Sequence, residues 1–256
     1  MRTLILLLAA GGCLAQNSPP WKPIFDGKTM KGWRTPIGDG WTIEDGCLKA
    51  RAKPHVREDL VSVEEFGDLE LSWEWRISLG GNSGLKYGIQ DFVPLTGEME
   101  KSHKKFEDAM AEQYRTRACD LKMVAAKGGQ IYVVGFEFQM IDDAGHADAR
   151  RGPLYQTGSL YSMIARTQAA AKAVGEYNES RVVMKGSHIE HLLNGVKVLD
   201  GSLDEAAIAG GLEKRWGKDS PVYRYLTGRP KKACPISLQN HNDEAWFRNI
   251  KVRKAQ

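Results

Sequence analysis

Residues 131–143, Ile-Tyr-Val-Val-Gly-Phe-Glu-Phe-Gln-Met-Ile-Asp-Asp, constrain the fold of this chain more than any other stretch. A β-strand sends successive side chains to opposite faces. One parity holds Tyr132, Val134, Phe136, Phe138 and Met140, a set that belongs on a core face. The other holds Gly135, Glu137 and Gln139, with Asp142 just beyond. No polar turn residue breaks the run, so a strand rather than a loop presents Glu137. A general base, or an acceptor for a sugar hydroxyl, is best placed on such a rigid element. An amphipathic strand with a solvated outer face gives the same alternation, and this stretch alone does not separate the two.

The rest of the chain repeats the strand period. Leu69 to Leu79 alternates Leu69, Leu71, Trp73, Trp75, Ile77 and Leu79 with Glu70, Ser72, Glu74, Arg76 and Ser78. The turn Gly80–Gly84 leads into Leu85–Gln90, where Lys86 and Gln90 share a face with Gly84 and Gly88. Two glycines on that face leave room above the sheet for a ligand. Asp45-Gly46 and Asn194-Gly195 mark hairpins between apolar runs, the strongest short-range turn signal. Further strands are expected at Asp59–Val63, Leu160–Ile164, Arg181–Lys185, His188–Leu193, Val196–Leu199, Pro235–His241 and Ala245–Val252. Short strands with turns every 8–12 residues predict an all-β protein, a sandwich or jelly roll of two antiparallel sheets.

Two segments break this pattern. Residues 94–129 hold a charged run, Lys101 to Ala126, without interior Gly or Pro, and are expected to form a helical insertion over the sheet edge or cleft. Residues 203–232 open on Ser202-Leu-Asp-Glu205, a capping-box pattern that predicts a helix over Leu203–Ala209 and a further turn near Leu212–Trp216. Lys218–Lys232, rich in Pro and Gly, reads as a loop.

The N-terminus reads as an export signal. Met1-Arg2 precedes the apolar run Leu4–Ala10 and the small residues Gly11, Gly12 and Ala15. Cleavage after Ala15 leaves residues 16–21 as a flexible leader and 22–254 as the folded domain. Ala10-Gly-Gly-Cys13 loosely resembles a bacterial lipoprotein box, and lipid attachment at Cys13 is the second reading. Both place the protein outside the cytoplasm, in the periplasm or secreted, and the apolar run is too short to span a bilayer. The mature part keeps three cysteines, Cys47, Cys119 and Cys234, so this is not a disulfide scaffold. Their spacing fits no zinc motif, and they read as small buried hydrophobes. A net charge of +4 with dispersed basic residues argues against nucleic acid as a partner.

Several stretches, in order, form a pattern: Ile24-Phe-Asp-Gly-Lys28 with Trp33, Trp41-Thr-Ile-Glu-Asp-Gly46, Phe66-Gly-Asp-Leu-Glu-Leu71, Gly81-Asn-Ser-Gly84 and Gly135–Asp143. Thr157-Gly-Ser-Leu-Tyr161, Leu193-Asn-Gly-Val196 and Leu238-Gln-Asn-His241 with Phe247-Arg-Asn-Ile250 complete it. Over residues 22–254 the chain resembles the 3-keto-disaccharide hydrolase domain family. The resemblance implies a concanavalin-type jelly roll, export, and a carbohydrate substrate already oxidised at carbon 3.

A ketone at carbon 3 acidifies the proton on carbon 2. Its removal by a base can expel the group on carbon 1, and water then completes net hydrolysis. For that chemistry Glu137 is the expected base and Lys86 the expected partner of the enolate oxygen. His241 or Asp142 is the expected proton donor to the leaving oxygen. Gln139, Gln239, Asn82 and Arg248 are expected to hold hydroxyls. No cofactor motif is present. A divalent metal held by His146 with Asp142 and Asp143 is one reading of the polar loop after the central strand, and acids that merely cap a turn are the other. Two further function classes stand beside the keto-glycoside reading: an orthodox glycosidase acting on unoxidised glycans, and a carbohydrate-binding jelly-roll module without chemistry.

Overall fold

The computed structural model describes residues 19–34 and 36–256. The expected signal segment, the Cys13 site and most of the leader lie outside the described residues. Two sheets carry the chain. The larger is built from β1 (Lys22–Pro23), β2 (Trp41–Glu44), β3 (Cys47–Ala50), β6 (Leu69–Ile77), β9 (Asn178–Lys185), β10 (His188–Leu193), β11 (Val196–Ser202) and β13 (Ala245–Lys254). Its order is β11-β10-β9-β6-β13-β3-β2, with β1 also paired to β13. The smaller has β4 (Val56–Glu58), β5 (Leu60–Val61), β7 (Asn82–Thr96), β8 (Gly129–Ile141) and β12 (Ser237–Leu238), ordered β4-β8-β7-β12-β5. Every pairing is antiparallel except β4 with β8, which is parallel. The architecture is a concanavalin-like β-sandwich.

The core lies where β6 faces β8. Leu69, Leu71, Trp73, Trp75 and Ile77 of β6 are buried, as are Phe136, Phe138 and Met140 of β8. The Trp73 ring meets Phe138 edge-on at 5.1 Å, and its indole N–H points to Met140 Sδ at 3.5 Å. Each fully buried side chain of this size contributes about 2 kcal/mol of transfer free energy. One polar bridge crosses the core. His191 of β10 accepts at Nε2 from the Tyr87 hydroxyl of β7 (2.8 Å) and donates from Nδ1 to Gly158 O (2.9 Å). Burial pushes this imidazole down to about 4, so it is a neutral strut at physiological pH.

Several expectations are corrected. Leu79, placed on the core face by parity, lies beyond the end of β6 and is exposed. Leu160–Ile164 is a turn closed by a Leu160–Ile164 bridge rather than a strand. Only Ser237–Leu238 of the predicted strand 235–241 pairs. Ser202 ends β11 and does not cap a helix: its hydroxyl binds Asp204 Oδ2 and accepts from Asp204 N. A single helix, α4 (Glu205–Trp216), follows. Residues 221–228, read as loop, form α5 (Pro221–Gly228), with Pro at its first position and Ser220 Oγ capping Tyr223 N at 3.1 Å. There proline starts a helix instead of breaking one. The 94–129 insertion is helical, as α1 (Gly97–Ser102), α2 (Phe106–Thr116) and α3 (Leu121–Lys127). Cys47, Cys119 and Cys234 are free and buried. No helix among the described residues is long and apolar enough to cross a membrane.

Helix α4 carries two adjacent glycines, each costing about 1 kcal/mol in helix propensity. A methyl group at Gly211 would stand 2.1 Å from Ser162 O, whereas one at Gly210 would meet nothing within 4 Å. Gly211 therefore marks the close approach of α4 to the turn at Ser162. Gly210→Ala should stabilise the protein by about 0.5–1 kcal/mol. Gly211→Ala should destabilise it by about 1–3 kcal/mol despite the better propensity. Urea titrations of the two variants check the opposite signs.

Candidate functional site

A cavity of about 240 Å³ lies over the small sheet, beneath α2 and α4. Its floor is β7 and β8. Lys86 of β7 and Glu137 of β8 are register partners, so their side chains emerge next to each other on one face. Asn82 and Gln139, two strand positions away from them in sequence or twice that, line the same space. Gln239, Asn240 and His241, which follow β12, close one side.

Glu137 occupies room that a missing side chain supplies. A methyl group at Gly84 would lie 2.5 Å from Glu137 Oε1 and 2.8 Å from its Cγ. The carboxylate therefore folds over bare backbone. Gln239 Nε2 donates to Glu137 Oε2 at 3.2 Å. The Gln139 amide, oriented to satisfy its surroundings, donates to Glu137 Oε1 at 2.9 Å and to Ser83 O at 3.0 Å. Burial pushes Glu137 up to about 7, against the pull of Lys86 and with reinforcement from Asp59. A carboxyl group titrating there is poised to take a proton near neutral pH.

Lys86 is 3% exposed and forms an ion pair with Asp59 at 3.1 Å, the Asp59 side chain being 5% exposed. Ser237 Oγ of β12 donates to the same Asp59 oxygen at 3.0 Å. Burial acts to lower Lys86, but Asp59 first and Glu137 second hold it above its ordinary value. Burial raises Asp59, opposed chiefly by Lys86. The ammonium also lies 5.1 Å from the centroid of the Tyr132 ring.

Tyr132 packs against the core, as its parity with Phe136 predicts, and also lines the cavity. The register of β7 on β8 slips between Tyr87 and Asp91, so that residues 88–90 stand opposite Gly135 alone. Gly88 takes φ +57° within this slip. Beyond it, Tyr132 packs with Phe106 of α2 (5.0 Å) and Trp216 of α4 (5.7 Å). This aromatic wall joins the two insertions across the cavity.

Three of the expected residues lie elsewhere, in other roles. Asp142 does not line the cavity. It accepts from the N–H groups of Gly80, Ala144 and Gly145. Although burial acts the other way, those bonds hold its carboxyl below the usual range, and it caps a turn. Asp143 pairs with Arg166 and accepts from Thr157 N. Arg248 sits on β13, paired with Glu74 at 2.8 Å and stacked over Tyr177, away from the cavity. His241 does line it. Burial first, then Arg57 and His146, push that imidazole down to about 4.

The metal set expected from the sequence is therefore not brought together. Instead His146, His241 and Asp243 offer three donor atoms within 4.8 Å of one another, and these are the residues here that can hold a divalent ion. His146 Nδ1 accepts from Asp148 N (3.0 Å) and Asp243 Oδ2 from Asn82 N (3.1 Å), so two of the three already have a protein partner.

Sequence reasoning missed several lining residues. Asp59 closes a charged loop and has no period to betray it. Tyr161 is placed by its N–H bond to Glu137 O at 3.0 Å, and its hydroxyl donates to Asp148. Arg215, in the last turn of α4, lies 5.2 Å from the Tyr161 ring and pairs with Glu107 of α2 at 3.3 Å.

A family model and a sequence relative agree on one family, and solved structures share its fold. A family model described as a 3-keto-alpha-glucoside-1,2-lyase-like domain matches residues 20–253. A protein of Bacteroides thetaiotaomicron named 3-keto-disaccharide hydrolase is 30% identical over 248 residues, covering 90% of this chain and 77% of that protein. Two crystal structures from Parabacteroides distasonis, provisionally described as glycosyl hydrolases, share the fold. One has a TM-score of 0.64 at 23% identity, covering 92% of this chain and 94% of its own. The other has a TM-score of 0.57 at 22% identity, covering 92% and 99%.

Two outcomes follow from the placement of Glu137. Its folded-state pKa lies above the ordinary 4.5, so the fold binds this proton more tightly than the unfolded chain does. The stability it contributes is complete below about pH 4.5 and is lost as pH rises through about 7. Glu137→Gln should thus be about 1–3 kcal/mol more stable than the parent at pH 8, allowing for partial exposure, and no more stable at pH 4.5. Urea titrations at the two pH values check this. Gly84→Ala, whose methyl group would press first on the flexible Glu137 side chain, should displace the carboxylate with little change in thermal midpoint.

Proposed function

The chain belongs to the 3-keto-alpha-glucoside-1,2-lyase-like family, and we propose that it cleaves glycosides oxidised at carbon 3 by elimination followed by hydration. It is an enzyme of the glycoside hydrolase type. The observation that carries the finer reading is the state of Glu137: one carboxyl group, titrating near 7, held by two carboxamides beside a buried ammonium.

In this reading the Glu137 carboxylate takes the proton from carbon 2 of the bound 3-keto sugar. The electron pair of that C–H bond passes into the enolate, whose oxygen the Lys86 ammonium stabilises in a largely desolvated site. Collapse of the enolate forms the double bond between carbons 1 and 2 and breaks the bond from carbon 1 to the leaving oxygen. That oxygen receives a proton from the protonated Glu137, since His241, pushed down to about 4 by burial, is not in its acidic form near neutral pH. Addition of water across the new double bond then gives the free 3-keto sugar. In the same reading Gln139, Gln239 and Asn82 bind ring hydroxyls. Aromatic residues Phe106 and Tyr132 limit water access from the side of the insertions.

The same geometry argues against the two-carboxylate route of an orthodox glycosidase, which needs a second free acid facing the anomeric carbon. The other carboxylates lining the cavity are committed, Asp59 to Lys86 and Ser237, and Glu107 to Arg215. A binding module without chemistry would have no use for a carboxyl group buried at a cost and poised near neutrality. Export from the cytoplasm, read from residues 1–15, belongs to this proposal. It suits a substrate met as an extracellular glycan fragment.

The test is aglycone release from a chromogenic 3-keto-glucoside beside its unoxidised parent. Release should occur from the keto sugar alone and fall about a thousandfold or more in Glu137→Gln and about a hundredfold in Gly84→Ala. The kcat/KM of the parent enzyme should rise with pH to a plateau above about 7, since the base must be ionised. Release from the unoxidised sugar would instead establish the orthodox route. Binding without release from either would establish the module.

A further inference from the structure

A second cavity, of about 270 Å³, adjoins the first and shares Glu107, Tyr161 and Arg215 with it. Its lining is strongly basic. Lys105, Arg151, Lys214 and Arg215 face it, against one carboxylate, Glu107. Arg215 is paired with Glu107 and Arg151 with Asp148. Lys105 and Lys214 form no ion pair among the described residues. Helix electrostatics account for Lys214 and Arg215, which sit in the last turn of α4 where cations are favoured. They do not account for Lys105, which is the residue at the N-terminal end of α2, where a cation is disfavoured.

An independent feature lies in the same wall. Ser162 is 4% exposed, its hydroxyl has no hydrogen-bond partner, and its backbone takes φ +60°. A buried unpartnered hydroxyl and a left-handed non-glycine backbone are both costs that a ligand accepted at this wall would offset. Gly211 lets α4 approach this turn, which sets Lys214 and Arg215 one turn further along, over the cavity.

We propose that this cavity is the subsite for the leaving group and that it recognises an oxyanion, a carboxylate or a sulfate, carried by that group. The inference rests on the reading above, in which the ring oxidised at carbon 3 sits over Glu137. The shared wall of Tyr161 and Arg215 then puts the group bonded to carbon 1 among the four cations. Lys105 and Lys214 supply point charges, and Arg151 and Arg215 planar donors suited to two-oxygen groups. The Ser162 hydroxyl is free to donate to the same group.

Two measurements test it. In the first, calorimetry compares binding of unoxidised phenyl glucoside, its 4-carboxyphenyl counterpart and its 4-sulfooxyphenyl counterpart, so that catalysis is not required. At least one charged ligand should bind about tenfold more tightly than the neutral one, a preference that shrinks with added salt. Which of the two is preferred separates carboxylate from sulfate. The double variant Lys105→Ala/Lys214→Ala, altered only at exposed positions, should lose the preference and keep the neutral affinity. Equal affinities, no binding of any of the three, or a preference that survives the double variant overturns the proposal. In the second, release is followed from the 3-keto forms of the same compounds. The charged leaving groups should show a lower KM with little change in kcat, and the double variant should abolish that difference. A charged preference in binding without release from any keto sugar would refute the elimination chemistry and leave the subsite standing.

Discussion

The Asp59–Lys86 ion pair is the interaction on which the rest of the site depends. Two charges 3.1 Å apart with side chains almost wholly buried are costly to desolvate, and such a pair is a poor way to gain stability. Its value lies in what it ties together. Asp59 immediately precedes β5, Lys86 is on β7, and Ser237 on β12 donates to the same carboxylate. Ser237 is the register partner of both Val61 and Lys86. The pair thus pins the short edge of the small sheet, where the strands themselves have only two residues each to pair. It also fixes a positive charge next to Glu137. Without Lys86, burial would drive the carboxyl group further toward its neutral form. Without Asp59, Lys86 would be free to collapse onto Glu137 and quench it.

The insertions turn that pinned edge into an enclosed space. A sheet face is open to water, and a carboxylate on it would titrate in the ordinary range. Helices α2 and α4 are far apart in sequence, yet they meet through Phe106, Tyr132 and Trp216 and through the Glu107–Arg215 pair, whose members are 108 residues apart. Their contact removes water from one side of Glu137, and the turn carrying Tyr161 narrows another. Enclosure and the pinned ammonium act on the same group in opposite directions, and their balance leaves it titrating near neutrality.

The strands of the sandwich were legible because their physics is local. The alternation in Leu69–Ile77 and in Phe136–Met140 follows from the pleat, and Asp45-Gly46 and Asn194-Gly195 form turns through their own φ preferences. Glu137, Gln139 and Lys86 could be placed on one face for the same reason. Parity failed where a strand ended before its pattern did, as at Leu79, two residues past the end of β6. It was silent where a partner comes from far along the chain. Asp59 meets Lys86 only through the order of strands in the small sheet, and Arg215 meets Glu107 only through helix packing. Asp142 misled because a carboxylate just past a strand end serves equally as a turn cap, and the N–H groups of Ala144 and Gly145 in its own turn, with that of Gly80 from the turn after β6, claimed it.

Much of the site's specificity resides in side chains that are absent. Gly84 leaves the space into which Glu137 folds, and any larger residue there would return the carboxylate to solvent. Gly88, at φ +57°, and Gly135 stand at the slip of β7 on β8. Gly211 lets α4 descend onto the Ser162 turn until backbone meets backbone. Each of these glycines costs conformational entropy on folding and contributes no contact of its own. A sandwich that needed only stability would replace Gly84 and Gly211 with residues of better propensity and accept a shallower groove. That it keeps them, together with a buried charge pair that stabilises little, indicates that the geometry around Glu137 is what the fold is arranged to hold.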